Sequence, residues 1–173
     1  MTDVIAEIAE TSSDAPRDHR PAVRDAAQAA FEALFDVKAG DPAPAVDAAL
    51  RHLLAARASW LEGDRSAADW YLRRLATVPH ADAHPAAEDL IVNGPDGAAG
   101  TAASRRVRAA LRYVDLLVGR PAAATADDLN ALIVAGWVPA DIVVIGQIVG
   151  FISYQVRVAH ALRVQDELFG EDA

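Results

Sequence analysis

The stretch Pro139–Leu168, PADIVVIGQIVGFISYQVRVAHALRVQDEL, decides the fold of this chain. It is the longest uninterrupted helical pattern in the sequence and the most apolar, so it is expected to be the central element of a globular core. Its apolar run, Ile142–Tyr154, covers about 13 residues, contains Gln147, and is flanked by Asp141 and Arg157. A membrane span needs about 20 apolar residues, so a buried core helix is the expectation and no membrane role is read. Gly146 and Gly150 lie one turn apart on one face. Each costs about 1 kcal/mol against alanine inside a helix, a cost that close backbone approach offsets. That approach is either a helix crossing within one subunit or a crossing between subunits.

The rest of the chain agrees with an all-α protein. Its 173 residues suit one domain, 53% of them are apolar, and 40 are alanine, the best helix former. Runs of β-branched or aromatic residues long enough for strands are nearly absent. The net charge is −9, with 15 arginines and one lysine, Lys38, which opposes binding to nucleic acid. There is no cysteine, so disulfides, thiolate metal sites and thiol catalysis are excluded. The N-terminal residues lack the basic and apolar regions of a signal peptide, and a cytoplasmic location is expected.

In order, residues 1–19 read as a flexible or loosely docked arm, with Val4, Ile5 and Ile8 at a spacing that would let it dock on a partner subunit; residues 20–173 read as one helical domain. Helix one is expected from Pro21 to Phe35, with Val23, Ala27, Phe31 and Leu34 inward. Helix two is expected from Asp41, with Pro42 at its first position, to Leu61, where Gly63 ends it. Helix three starts at the capping residue Asp64 and runs to about Ala76. Thr77–Gly100 is punctuated by proline and glycine and holds one short helix, from Pro85 to about Val92. Helix five is expected over Thr101–Val118, with Arg105, Arg106, Arg108 and Arg112 as a solvated side, helix six over Thr125–Ala135, and helix seven from Pro139.

Several residues carry potential chemistry. His52, in helix two, is either a core or surface histidine or a general base in a pocket. Tyr71, with Trp70 and Trp60, either fills the core or lines a pocket for an aromatic or acyl ligand. Arg157, on an apolar face, needs an anionic partner, which is a structural carboxylate or a substrate carboxylate; His160 shares its face. His80, Asp82 and His84 form the densest group of metal-ligating side chains, in a stretch that otherwise reads as a solvated loop. No cofactor is indicated.

From Ser104 to Leu162 the chain resembles the C-terminal half of alkylhydroperoxidase D-like proteins, the carboxymuconolactone decarboxylase superfamily. The elements that carry the resemblance are Leu116–Pro121, then Asp128, Leu132 and Gly136, then Asp141–Ile142, and last Phe151, Tyr154 and Arg157. It implies a bundle of six or seven helices and a homo-oligomer, from dimer to trimer or hexamer, with a related peroxidase subunit as a further partner. In that family this half packs on a helix carrying Cys-x-x-Cys-x-x-x-His, with a Glu upstream, and the cysteines reduce peroxide. Aligned on the family pattern, Asp64 and Ala67 fall at the cysteine positions, Tyr71 at the histidine, and the upstream acid near His52. Without cysteine the thiol peroxidase reaction is excluded. What remains is a small-molecule binding or companion protein, or a cysteine-independent lyase or hydrolase of a small lactone or organic acid working through His52, Tyr71 or Arg157.

Overall fold

The structure is a computed structural model and describes residues 3–11, 15–36, 46–78 and 86–169. Among these, every regular element is helical. In order they are α1 (Val4–Ala9), α2 (Ala15–Asp18), α3 (Pro21–Phe35), α4 (Ala48–Leu61), α5 (Arg65–Leu75), α6 (Ala87–Val92), α7 (Ala98–Ala102), α8 (Arg105–Gly119), α9 (Ala126–Val134) and α10 (Pro139–Phe169), with short 3-10 turns at Gly94–Asp96 and Pro121–Ala123.

Short polar side chains set where the helices start. The first backbone N–H groups of a helix have no internal partner, and a side-chain oxygen one position before the helix accepts from them. Asp47 accepts from Leu50 N at 2.8 Å, Asp64 from Ala67 N at 3.0 Å, and Ser104 from Val107 N at 3.3 Å. Thr125 and Asp128 form a reciprocal capping box on α9. The α4–α5 corner turns through Gly63, whose φ of +85° suits a residue without a Cβ.

The centre of the molecule is α4 rather than α10. Every residue from Ala49 to Ser59 except Arg51 is buried. Helices α5, α6, α8 and α10 pack around it, with α3 touching one side. Small alanines at positions 49, 55, 56 and 58 let the surrounding helices approach closely. The long apolar α10 instead lies along the outside of this assembly. It buries Ile145, Ile148, Ile152, Gln155 and Ala159 completely. Its opposite side, including Val143 and Leu168, faces solvent. By length and composition it is able to cross a bilayer, and 39% of its most apolar window is buried inside the fold.

A buried guanidinium fastens the layers around α4. Arg57 reaches Asp115 of α8 with Nε at 2.8 Å and Nη2 at 2.9 Å. Its Nη1 donates to the carbonyls of Ile91 at 2.7 Å and Val92 at 3.0 Å, at the end of α6. The turn that follows passes so close that a Cβ at Gly94 would fall 2.5 Å from Arg57 Nη2, and φ there is +66°.

Some boundaries differ from the sequence expectation. Residues 4–9 are not a loose arm: α1 buries Val4, Ile5, Ile8 and Ala9 against its own chain. Helix two starts at Ala48 under the Asp47 cap, not at Asp41, and Asp41 and Pro42 lie outside the described residues. A 3-10 turn and α7 occupy the end of the stretch read as loose, and α8 starts at Arg105 because Ala103 is extended. Among the described residues there is no close crossing at Gly146 and Gly150, since a Cβ at either position meets none of their atoms within 4 Å.

Candidate functional site

The residues singled out by sequence fall into two separate places. The first is an aromatic cluster inside the core. His52 projects from α4 and stacks on Phe35 with ring centroids 5.1 Å apart. Tyr71 projects from α5, with its ring 6.0 Å from that of His52 and 5.3 Å from Phe35. Phe31, Trp70 and Phe151 close the cluster. Tyr71 has no exposed surface and its hydroxyl donates to Gln155 Oε1 at 2.7 Å. His52 is 6% exposed, and its Nδ1 has no hydrogen-bond partner among the described residues. Burial lowers the His52 pKa to about 4, helped by the charge of Arg74. Burial pushes the Tyr71 phenol well above its ordinary value. Both groups are therefore neutral near pH 7, and side chains fill the space between them. The alternative of a core histidine and a core tyrosine is the one observed.

The second place is a cleft of about 610 Å³ between the α4–α5 corner and the outer half of α10. It is lined by Glu62, Asp64, Arg65 and Ser66 on one side and by Arg157, His160 and Arg163 on the other. Asp64 sits here because it caps α5, and Arg163 holds it through Nη1 at 2.7 Å. The second terminal nitrogen of Arg163 donates to the Ile8 carbonyl at 2.9 Å, which fixes the guanidinium against α1. Arg157 is not buried, as its apolar neighbours suggested. Its side chain is 66% exposed and pairs with Glu62 at 3.5 Å, so the structural carboxylate partner exists. Glu62 also accepts from the Ser153 hydroxyl. Arg65 lies over the Trp60 ring at 4.8 Å. Three guanidinium groups and an imidazole thus meet two carboxylates, and the lining carries a net positive charge in a chain whose total is −9.

The structure brings Asp64 and Arg157 into one cleft. Ala67 and Tyr71 are fully buried behind it, and His52 belongs to the core cluster. His80, Asp82 and His84 lie outside the described residues, and among the described residues no three acidic or imidazole side chains gather as metal ligands. The arginine side of α8 contributes Arg105, Arg108 and Arg112 to a groove of about 660 Å³ facing α9, where Asp96, Asp115, Asp127 and Asp128 balance them together with Arg120.

Sequence reading missed Glu62, Arg65, Arg163 and Gln155. Arg157, His160 and Arg163 recur at steps of three, which places them on adjoining turns of one helix side. That spacing was the available signal for Arg163. Nothing in the sequence pairs Gln155 with Tyr71 across 84 positions. The chain matches no family model, no curated protein and no solved structure.

Proposed function

We propose that this chain is a non-catalytic binding protein for a small organic anion, a cysteine-less divergent member of the alkylhydroperoxidase D-like superfamily. The single observation that carries the reading is the cleft at the α4–α5 corner, where Arg65 on one side and Arg157, His160 and Arg163 on the other line a space shared with Glu62 and Asp64. Guanidinium groups present flat forks of N–H donors that match a carboxylate or phosphate. A small anion entering here would meet the exposed Arg157 first. The family resemblance supports the same location, since Asp64 stands where a catalytic thiol is expected.

The lyase or hydrolase alternative keeps only Arg157 of its three residues in the cleft, since His52 and Tyr71 belong to the core. A general base must reach the proton it abstracts, about 3 Å away or through one water. His52 and Tyr71 are enclosed by aromatic rings, and the cleft is lined by neither.

Calorimetric titration of the full chain with sodium benzoate, and separately with inorganic phosphate, tests the proposal. Saturable binding of benzoate is expected, weakened about tenfold by Arg157→Ala or Arg65→Ala, equivalent to about 1.4 kcal/mol. Glu62→Gln removes the carboxylate that competes for Arg157 and is expected to tighten binding. Absence of saturable heat with either anion up to about 10 mM, a Kd corresponding to only about −3 kcal/mol, would overturn the reading. So would saturable peroxide consumption with a dithiol donor.

A further inference from the structure

We infer that the anion taken up by the cleft at the α4–α5 corner is a planar aromatic monocarboxylate, and that Glu62 sets the preference for a single negative charge; this ligand class rests on the binding function proposed above.

The three guanidinium groups of the cleft are not equivalent. Arg163 is committed to the fold: Nη1 and Nη2 reach the Asp64 carboxylate at 2.7 Å and 3.3 Å, and Nη2 also donates to the Ile8 carbonyl. Arg157 has its N–H edge turned to Glu62 and to the Ser153 carbonyl. Arg65 differs from both. Its guanidinium lies 4.8 Å from the centre of the Trp60 ring and makes no hydrogen bond or ion pair with any described residue. A ring contact thus holds its N–H donors in place and leaves them without an acceptor. A carboxylate matches such a fork with two parallel hydrogen bonds. Arg65 is therefore where the carboxylate of a ligand binds.

Arg157 decides what the carboxylate is attached to. Its side chain lines the same cleft and is 66% exposed although its edge is engaged. What it leaves open is the flat face of the guanidinium, the surface that stacks on aromatic rings. Val156 supplies an apolar part of the lining. A carboxylate on Arg65 and a ring on Arg157 together describe an aryl carboxylate. The cleft, at about 610 Å³, falls within the size range of small-molecule sites.

Charge limits the number of carboxylates. Three guanidinium groups and two carboxylates leave one positive charge among these groups. Asp64 stays in that balance because it caps α5. The Glu62 side chain is 15% exposed and accepts from the Ser153 hydroxyl as well as from Arg157. It is therefore fixed where a second carboxylate of the ligand would have to pair with Arg157. A dicarboxylate meets a like charge there, which selects against it. Inorganic phosphate offers no ring for Arg157.

Calorimetric titration of the full chain with matched probes tests the assignment. Benzoate is expected to bind about two- to fivefold tighter than cyclohexanecarboxylate, the factor of an exposed cation–π contact. Benzamide, which lacks the charge, should bind about tenfold more weakly than benzoate. Terephthalate, the same ring with a second carboxylate, should bind about threefold more weakly or worse, and Glu62→Gln should improve terephthalate more than benzoate. Arg157→Lys keeps the charge without the flat face, so it should make benzoate and cyclohexanecarboxylate equal. Because Arg65 rests on Trp60, benzoate should also shift the indole emission, and Trp60→Phe should abolish that shift. Equal affinity of the parent chain for benzoate and cyclohexanecarboxylate would overturn the aromatic assignment and leave a general anion cleft. Terephthalate binding as tightly as benzoate, or gaining no more than benzoate from Glu62→Gln, would remove Glu62 as the selecting group. Benzoate binding with unchanged indole emission would move the carboxylate away from Arg65. No saturable heat with any of these anions would remove the cleft reading itself, and the ligand class with it.

Discussion

His52 stays neutral because the fold gives its charged form nothing to lean on. It is enclosed by Phe35 and Tyr71, its Nδ1 has no partner among the described residues, and Arg74 adds a repelling charge. The unfolded chain binds a proton at His52 near pH 6.5, whereas the folded chain resists it down to about pH 4. A depressed folded pKa contributes stability that is fully present above pH 6.5 and is lost as pH falls toward 4. The full loss is on the order of 3 kcal/mol. His52→Leu should remove this dependence. Urea unfolding at pH 7 and pH 4.5 is expected to show a smaller drop for the variant than for the parent, by about 1–3 kcal/mol; equal drops would mean that His52 is protonated in the folded state. At this scale the sequence was partly legible. The role of Asp64 as a helix cap follows from its position before RSAADW, and it is confirmed by the bond to Ala67 N. Arg163, which also holds Asp64, sits 99 positions away, and although its spacing from Arg157 and His160 marks a shared helix side, nothing local pairs it with Asp64.

At the scale of elements, α4 and α10 exchange the roles that their compositions suggest. Hydrophobicity singles out α10, because a long apolar run is the strongest periodic signal in the chain. The more deeply buried helix is α4, which carries His52, Arg57 and Ser59 in its interior. Its burial was hidden because the neutrality of His52 and the partners of Arg57 exist only in the folded state. Arg57 makes the clearest case. It joins α4 to α8 through Asp115 and to α6 through two carbonyls, with its side chain 8% exposed and that of Asp115 29%. Removing one member of such a pair leaves a charge and two carbonyls without partners, a loss on the order of 3–5 kcal/mol. Arg57→Ala is therefore expected to lower stability by about that amount in urea unfolding. Asp115→Asn should cost less, because solvent reaches the carboxylate side and the amide oxygen still accepts a hydrogen bond. If the two variants unfold together with the parent, Arg57 is not the fastener that its bonds suggest. Helix boundaries with a proline or a capping residue, such as Pro21 for α3 and Thr125 for α9, were legible; the starts of α4 and α8 depend on Asp47 and Ser104, single side chains among several equivalent candidates.

For the whole molecule, the N-terminal segment is where the sequence and the fold part most. Six residues, VIAEIA, are too few to hold a helix by themselves, since helices shorter than about 12 residues are marginal in water. The fold supplies what propensity does not. Val4, Ile5 and Ile8 are at most 1% exposed. The Val4 N–H donates to Gln28 Oε1 at 3.0 Å, the Trp70 ring N–H donates to Glu7 at 3.0 Å, and Arg163 donates to the Ile8 carbonyl. This helix therefore contacts α3, α5 and α10 together. Three such apolar side chains contribute about 1.5–3 kcal/mol each, a sum comparable with the whole stability of many domains, roughly 5–15 kcal/mol. Deleting residues 1–11 is expected to lower the melting temperature by more than about 10 °C, at about 2–4 °C per kcal/mol for a chain of this size. The same deletion frees the Arg163 guanidinium from its anchor beside the cleft, so benzoate binding should weaken in any fraction that stays folded. Ile8→Ala separates packing from anchoring: it removes apolar contact at a cost of about 2–5 kcal/mol while keeping the carbonyl that Arg163 uses. A thermal melt unchanged by the deletion would return residues 1–11 to the status of a loose arm. A deletion variant that melts early while Ile8→Ala does not would place the contribution of α1 in its hydrogen bonds rather than in its apolar face.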